Sequence, residues 1–247
     1  APIPEGFQKI PTHFVYDVKH DGKHKARMVA GGHRTQVPID SVYSGVVSLA
    51  GIRIVTFLAE LNDLELWGTD IGNAYLESYT KEKVAFVAGP EFGDVEGHTF
   101  LIRKALYGLR SSGARWHDRL YDSLTGMGFT PCKSDPDIWM RPCNDHYEYI
   151  ACYVDDLLIA SKNPQGIIDA LMAAPNNYKL KGTGPVNYHL GCDFFRDEDN
   201  TLCFGPKAYI ERICLQFESM FGTKPRAGYA SPFLSNDHPE LDDTEHL

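Results

Sequence analysis

From Tyr149 to Ala160 the chain is almost wholly apolar, and two adjacent acids, Asp155 and Asp156, interrupt it. The β-branched and aromatic residues predict two short strands, with the acid pair at or near the bend between them. Alternation puts Tyr149, Ala151 and Tyr153 on one face and Ile150, Cys152 and Val154 on the other. Both faces are apolar, so the hairpin is predicted to be buried. A buried carboxylate must be paired, protonated or bound to a cation. An acidic turn at a solvated hairpin tip fits this stretch equally well, because Asp is a common turn residue.

The same pattern reading orders the rest of the chain. Phe14 to Lys19 and Lys25 to Ala30 are predicted strands, joined through His20-Asp21-Gly22-Lys23, where Asp-Gly is a hairpin signal. Lys25, Arg27 and Val29 share a face. Taken alone this is a solvated basic edge hairpin, which discourages aggregation. Residues 31–43 read as a loop. A helix is predicted from about Val46 to Leu61, because Ile54, Phe57, Leu58 and Leu61 recur at helical spacing. Leu64 to Ile71 alternates as a strand ending in Asp70, and Val84 to Val87 is a short strand.

Trp116, Leu120 and Leu124 predict a helix closed by Gly126-Met127-Gly128. Ile138-Trp139-Met140 is a strand set loosely beside the acidic hairpin. Asn163-Pro164 starts a helix running to about Ala173, with Asn as cap and Pro at the first position. Leu180 to Pro185 reads as a loop. Tyr188 to Phe195 and Thr201 to Phe204 are strands. The last helix runs from Lys207 to Phe221 with Gly222 as its stop, and Ile210, Ile213, Phe217 and Phe221 on one side. This order predicts an α+β fold with helices on one face of a sheet.

Composition narrows the class. The chain has 247 residues, room for one large domain or two lobes. No apolar run is long enough to span a bilayer. The start, Ala1 to Gly6, has no signal-peptide pattern, and the missing Met fits a segment of a longer chain. Net charge is -9, against a general nucleic-acid binder. Yet residues 1–35 carry six Lys/Arg against three acids, whereas the last thirteen carry five acids and no Lys or Arg. The basic end suits phosphates and the acidic end reads as a solvated tail. The six cysteines form no CxxC pair and read as reduced thiols in a cytosolic protein. A zinc site from Cys132, Cys143 and His146 matches no common ligand spacing.

Asp70 and Asp155 each sit where an apolar strand ends or bends. If those strands are neighbours, the carboxylates meet at one edge of the sheet. Such a pair suits two hard divalent ions about 3.5–4 Å apart, the clamp for in-line phosphoryl displacement.

Four ordered blocks then resemble the reverse transcriptase region of a copia-type LTR retrotransposon polyprotein, over nearly the whole chain. Lys25 to Ala30 resembles its fingers block and Thr69 to Leu76 its first carboxylate motif. Lys104 to Leu109 resembles its central block, and Tyr153-Val154-Asp155-Asp156 matches its YxDD box. Leu190-Gly191 and the following strand resemble the primer grip.

The resemblance implies a right-hand polymerase with a ferredoxin-like palm. Residues 1–45 and 81–115 would be fingers, 46–80 and 116–205 palm, and 206–247 the start of the thumb with an acidic linker. The implied activity is RNA-directed DNA polymerisation, adding deoxynucleotides to a primer 3′-OH. The implied catalytic residues are Asp70, Asp155 and Asp156, which with the Ile71 carbonyl would hold two Mg²⁺. Asp155 is the principal carboxylate.

Arg27, with Lys25 near it, would hold the incoming triphosphate. Tyr75 would be the aromatic gate against a ribose 2′-OH. Lys181 would be the general acid for pyrophosphate. The family usually follows Leu109 with a basic residue, Gln, Ala and Pro. Here Arg110 keeps the charge, but Ser111-Ser112-Gly113 replaces the rest, which puts the shorter Ser111 beside the nucleotide.

Implied partners are an RNA or DNA template with its primer and deoxynucleoside triphosphates. No membrane is implied. The RNase H and integrase portions would lie outside this chain, and the setting would be cytoplasmic virus-like particles. Two rivals are a palm-fold remnant that binds primer–template without chemistry, and a template-independent palm enzyme such as a nucleotide cyclase. Neither explains the fingers block and the aromatic gate together.

Overall fold

A computed structural model describes residues 2–18, 22–35, 42 and 44–226. The predicted turn at His20-Asp21, most of the loop up to Tyr43 and the acidic tail lie outside the described residues. The strands in order are β1 (Gln8–Lys9), β2 (Thr12–Val18), β3 (His24–Ala30), β4 (Glu65–Ile71), β5 (Val84–Val87), β6 (Thr99–Leu101) and β7 (Thr130–Pro131). They continue with β8 (Ile138–Cys143), β9 (His146–Tyr153), β10 (Asp156–Ser161), β11 (Leu180–Pro185), β12 (Tyr188–His189), β13 (Cys192–Arg196) and β14 (Leu202–Gly205). The helices are α1 (Leu49–Leu61), α2 (Ser112–Gly126), α3 (Pro164–Met172) and α4 (Lys207–Phe221). They fall close to their predicted ends. No described helix is long and apolar enough to cross a membrane.

The described residues fall into two compact units, which divide between Leu190 and Gly191. In the first unit, the largest sheet among the described residues has the order β11-β4-β10-β9-β8-β7, antiparallel throughout. Its centre is β10, where Leu157, Leu158, Ile159 and Ala160 are all wholly buried. A strand that is apolar on both sides needs cover on both.

On one face Leu157 and Ile159 join Ile71, Ile150 and Cys152 under Trp116, Leu120 and Leu124 of α2 and Ile167, Ile168 and Leu171 of α3. On the other lie Leu158, Ala151 and Ile138, one register row. There α1 approaches closely, since a side chain at Gly51 would meet Ile138. Helices therefore flank both faces, which corrects the one-sided expectation. Leu157→Ala would cost about 2–5 kcal/mol, the range for emptying a filled core site.

Two further expectations change. In α1 the residues turned inward are Ile52, Val55 and Ala59, while Ile54, Phe57 and Leu61 are more than half exposed. The helix is apolar nearly all round, so the period marks a helix without marking its inner face. Leu180–Pro185, read as a loop, is a strand paired with β4 and irregular between Lys181 and Gly184. Its Gly-Thr-Gly-Pro run has little strand propensity of its own, and the ladder offered by β4 supplies the order.

Side chains cap the starts of α1 and α3, the second as predicted. The Ser48 hydroxyl accepts from the Gly51 N–H at 2.9 Å and donates to Asp135 at 2.9 Å. The Asn163 side chain accepts from the Gly166 N–H at 3.2 Å. A smaller core of Ile10, Ala30, Val84, Phe86, Ile102 and Leu109 joins the N-terminal segments. The β2–β3 hairpin pairs Val15 with Arg27 and Asp17 with Lys25. In the second unit β13 pairs with β14, and Phe194 stacks on Phe204 at 4.9 Å between ring centroids. Asp193 accepts from the Ala208 N–H at the start of α4, and Gly222 ends that helix at φ 67°.

Candidate active site

The acid pair is organised by a two-residue turn. Tyr153 and Asp156 are register partners, so Val154 and Asp155 form the bend. Val154 sits at φ 57°, an uncommon and costly conformation for a β-branched residue. Its carbonyl accepts the indole N–H of buried Trp116 at 2.7 Å, which ties the bend to α2. The Ile71 N–H donates to the Asp155 carbonyl at 2.8 Å, which ties it to the end of β4.

Asp156 stands directly opposite Asp70 in the β4–β10 register, and Lys181 stands opposite Asp70 on the other side. Opposed residues in antiparallel strands face the same way. One row therefore reads Lys181, Asp70, Asp156, Tyr153 across four strands, with Asp155 just beyond it in the turn. Ile71 is wholly buried and its side chain belongs to the core.

The charges act on one another. Burial pushes the Asp155 carboxyl up, with the Asp70 charge adding, while Lys25 and Arg27 pull it back. Burial, then the charges of Asp155 and Asp70, push Asp156 up to about 6. Mutually opposed carboxylates of this kind favour a cation. Their donors are hard oxygens, which suits Mg²⁺, an ion that keeps open positions for water and phosphate. Among the described residues, the aspartate oxygens are not drawn within 4.8 Å of one another as a closed set. They form an open set, neighbours in register.

The β2–β3 hairpin and Tyr75 are linked to this site through a close backbone approach. Gly32 and Gly108 lie where any side chain would overlap the opposing main chain, and Gly108 is at φ 88°. That approach lets the Ala30 N–H donate to the Tyr107 carbonyl at 2.7 Å. The Tyr107 ring then meets Tyr75 edge-on at 4.9 Å and lies 6.0 Å from the Arg27 guanidinium. Burial raises the Tyr75 phenol, with Tyr107 and the Asp155 charge adding. Lys25, Arg27, Tyr75 and the three aspartates thus share one electrostatic neighbourhood. The Lys181 ammonium borders Gly72, immediately after β4.

The remaining predicted positions are Ser111 and the Leu190-Gly191 pair. Ser111 is 3% exposed, and both its N–H and its hydroxyl donate to Glu82, at 3.0 and 2.5 Å. Its hydroxyl is spent on the start of α2. Arg110 likewise donates to the carbonyls of Gly32 and His33. Leu190 ends the first unit and Gly191 begins the second, both in left-handed backbone at φ 48° and 84°. Sequence reasoning missed Tyr107, Trp116 and Glu82 as supports. Tyr107 lay inside a recognised block, and Trp116 on a recognised helix face. Nothing local marked Glu82.

Carboxylates at a hairpin tip, with basic side chains and an aromatic ring in the same neighbourhood, are groups chemically suited to a divalent cation and a phosphate. A family model described as reverse transcriptase (RNA-dependent DNA polymerase) matches residues 2–227, and the chain belongs to that family.

It is 27% identical over 236 residues to the Retrovirus-related Pol polyprotein from transposon TNT 1-94 of Nicotiana tabacum, covering 90% of this chain and 18% of that protein. It is 28% identical over 201 residues to the corresponding polyprotein from transposon RE1 of Arabidopsis thaliana, covering 78% of this chain and 14% of that one. The putative transposon Ty5-1 protein of Saccharomyces cerevisiae is 23% identical over 181 residues, covering 69% of this chain and 59% of it. The chain thus spans less than a fifth of the plant polyproteins it matches.

Proposed function

We propose that this chain is an RNA-directed DNA polymerase domain that extends a primer 3′-OH with deoxynucleotides by a two-metal mechanism. The observation that carries the proposal is the opposition of Asp70 and Asp156, with Asp155 in the adjoining turn under the influence of Lys25 and Arg27. Family membership supports it.

In this reading Asp70, Asp155, Asp156 and the Ile71 carbonyl hold two Mg²⁺. When bound, such ions stabilise the attacking and leaving oxygens of an in-line displacement. The Arg27 fork and the Lys25 ammonium grip the triphosphate. Tyr75, braced by Tyr107, fills the space a 2′-OH would need. Lys181, beside Asp70, gives a proton to the departing pyrophosphate. Ser111 shapes the nucleotide side of the pocket through its bonds to Glu82. Leu190 and Gly191 form the primer grip. The assigned fingers, palm and thumb ranges, and a setting in cytoplasmic virus-like particles, belong to the same reading.

Primer extension on an RNA template with Mg²⁺ tests it. Extension is expected from the purified chain, and Asp155→Asn should abolish it while the variant stays folded. Primer–template binding without extension would favour the non-catalytic remnant instead. Product from nucleotide alone would indicate a template-independent enzyme.

A further inference from the structure

A second chemical cluster lies at the other end of strand β9. Asn144 and Asp145 form the two-residue turn between β8 and β9, with Asn144 in left-handed backbone at φ 50°. Cys143 and His146 close that turn as register partners, and Arg141 and Glu148 are the partners two positions further in. Alternation therefore sends Arg141, Cys143, His146 and Glu148 to one face of the hairpin. One ligand atom from each of Cys143, His146 and Glu148 lies within 4.8 Å of the others.

The His146 side chain is 7% exposed, and its Nε2 is buried with no hydrogen-bond partner. Its Nδ1 is 3.0 Å from the Asp145 carboxylate. With the carboxylate as acceptor, Nδ1 is the donor, and in the neutral ring the buried Nε2 carries the lone pair. A buried acceptor without a donor is costly unless something binds it. Glu148 is 4% exposed. Its Oε2 accepts both Arg141 contacts, at 2.6 and 2.8 Å. Its Oε1 accepts only the Ser161 hydroxyl, at 2.6 Å, and so keeps a lone pair.

We propose that Cys143, His146 and Glu148 are a three-ligand site for a zinc-like divalent ion, with water in the fourth position. Thiolate, imidazole and carboxylate are zinc's usual donors, and three protein ligands leave one position open. Asp145 is a positioning residue, orienting the ring from behind as carboxylates do for metal-bound histidines. Arg141 and Lys162, 3.6 Å from Asp145, are the neighbouring cations that oppose metal binding. From His146 to Tyr153 is seven residue steps, about 23 Å of strand, so this site is separate from the acidic turn. Cys132 contacts Ser134 and takes no part in the cluster. The ion would pin the hairpin whose second strand leads into the catalytic bend.

The test uses the full purified chain, stripped with a chelator and titrated with Zn²⁺ and separately Co²⁺ in excess Mg²⁺, which keeps the aspartates occupied. One equivalent should bind, with a thiolate-to-cobalt charge-transfer band. Cys143→Ser should lose the band, and His146→Gln should lose the binding. Asp145→Asn should weaken binding by roughly 10–100-fold. Cys132→Ser should change nothing. Urea unfolding without metal checks that each variant is folded, and either first variant suffices if the other is not. Absence of binding to the parent chain, or an unchanged band in Cys143→Ser, would overturn the proposal. Neither result bears on primer extension, so the site stands or falls apart from the polymerase reading.

Discussion

The indole N–H of Trp116 holds the Val154 carbonyl at 2.7 Å, and with it a bend that a valine does not adopt freely. Trp116→Phe keeps most of the ring and removes the donor. It should cost about 0.5–1.5 kcal/mol, the net worth of a hydrogen bond lost at a part-buried acceptor. Urea denaturation reads that loss. If Trp116 also positions Asp155, kcat for primer extension should fall more than KM rises. A loss of stability with unchanged kcat would limit Trp116 to a structural role.

Tyr75 is braced edge-on by Tyr107, so its ring cannot simply swing aside. Tyr75→Val should admit ribonucleotides. The ratio of ribonucleotide to deoxynucleotide incorporation should rise by at least about tenfold, equivalent to ~1.4 kcal/mol. An unchanged ratio would remove Tyr75 from the gate.

Gly108→Ala should be poorly tolerated. The position is at φ 88°, and the new methyl would overlap the Ala30 carbonyl. Strain of this kind costs on the order of 1–3 kcal/mol. The comparison is with Gly97→Ala, also at positive φ but with nothing near its added carbon. Thermal melts should show the larger loss for Gly108→Ala.

Two histidines give stability opposite dependences on pH. A hydrogen bond to Asp137, 3.0 Å away, raises the His117 pKa despite partial burial. The folded state therefore holds that proton more tightly than the unfolded chain. The resulting stability is full below the ordinary histidine value of about 6.5 and is lost as pH rises through the higher folded value. Burial lowers His189 to about 4. The unfolded chain then takes the proton first, and stability declines as pH falls from about 6.5 toward 4. Denaturation midpoints across pH should lose the alkaline decline in His117→Gln and the acid decline in His189→Leu.

Much of the local architecture was legible in the chain. The Asn163-Pro164 signal and the Gly222 stop placed the ends of α3 and α4, and Trp116, Leu120 and Leu124 marked the inner face of α2. These signals are carried by residues within a turn or two of one another. The α1 stripe of Ile54, Phe57 and Leu61 pointed outward because the opposite side of that helix is apolar too. β11 was unreadable because its order comes from pairing with β4, not from its own glycine-rich run.

The sequence by itself determined the acidic hairpin, the basic strand, the helix types and the family. The tertiary structure decided which groups meet. Asp70 faces Asp156 because β4 and β10 share a register. Arg27 reaches Tyr107 because two glycines let main chains touch, and Cys143 joins His146 and Glu148 because a two-residue turn aligns alternate positions. Periodicity and capping are properties of neighbouring residues. Register, close approach and the identity of a facing partner arise only when distant segments pack.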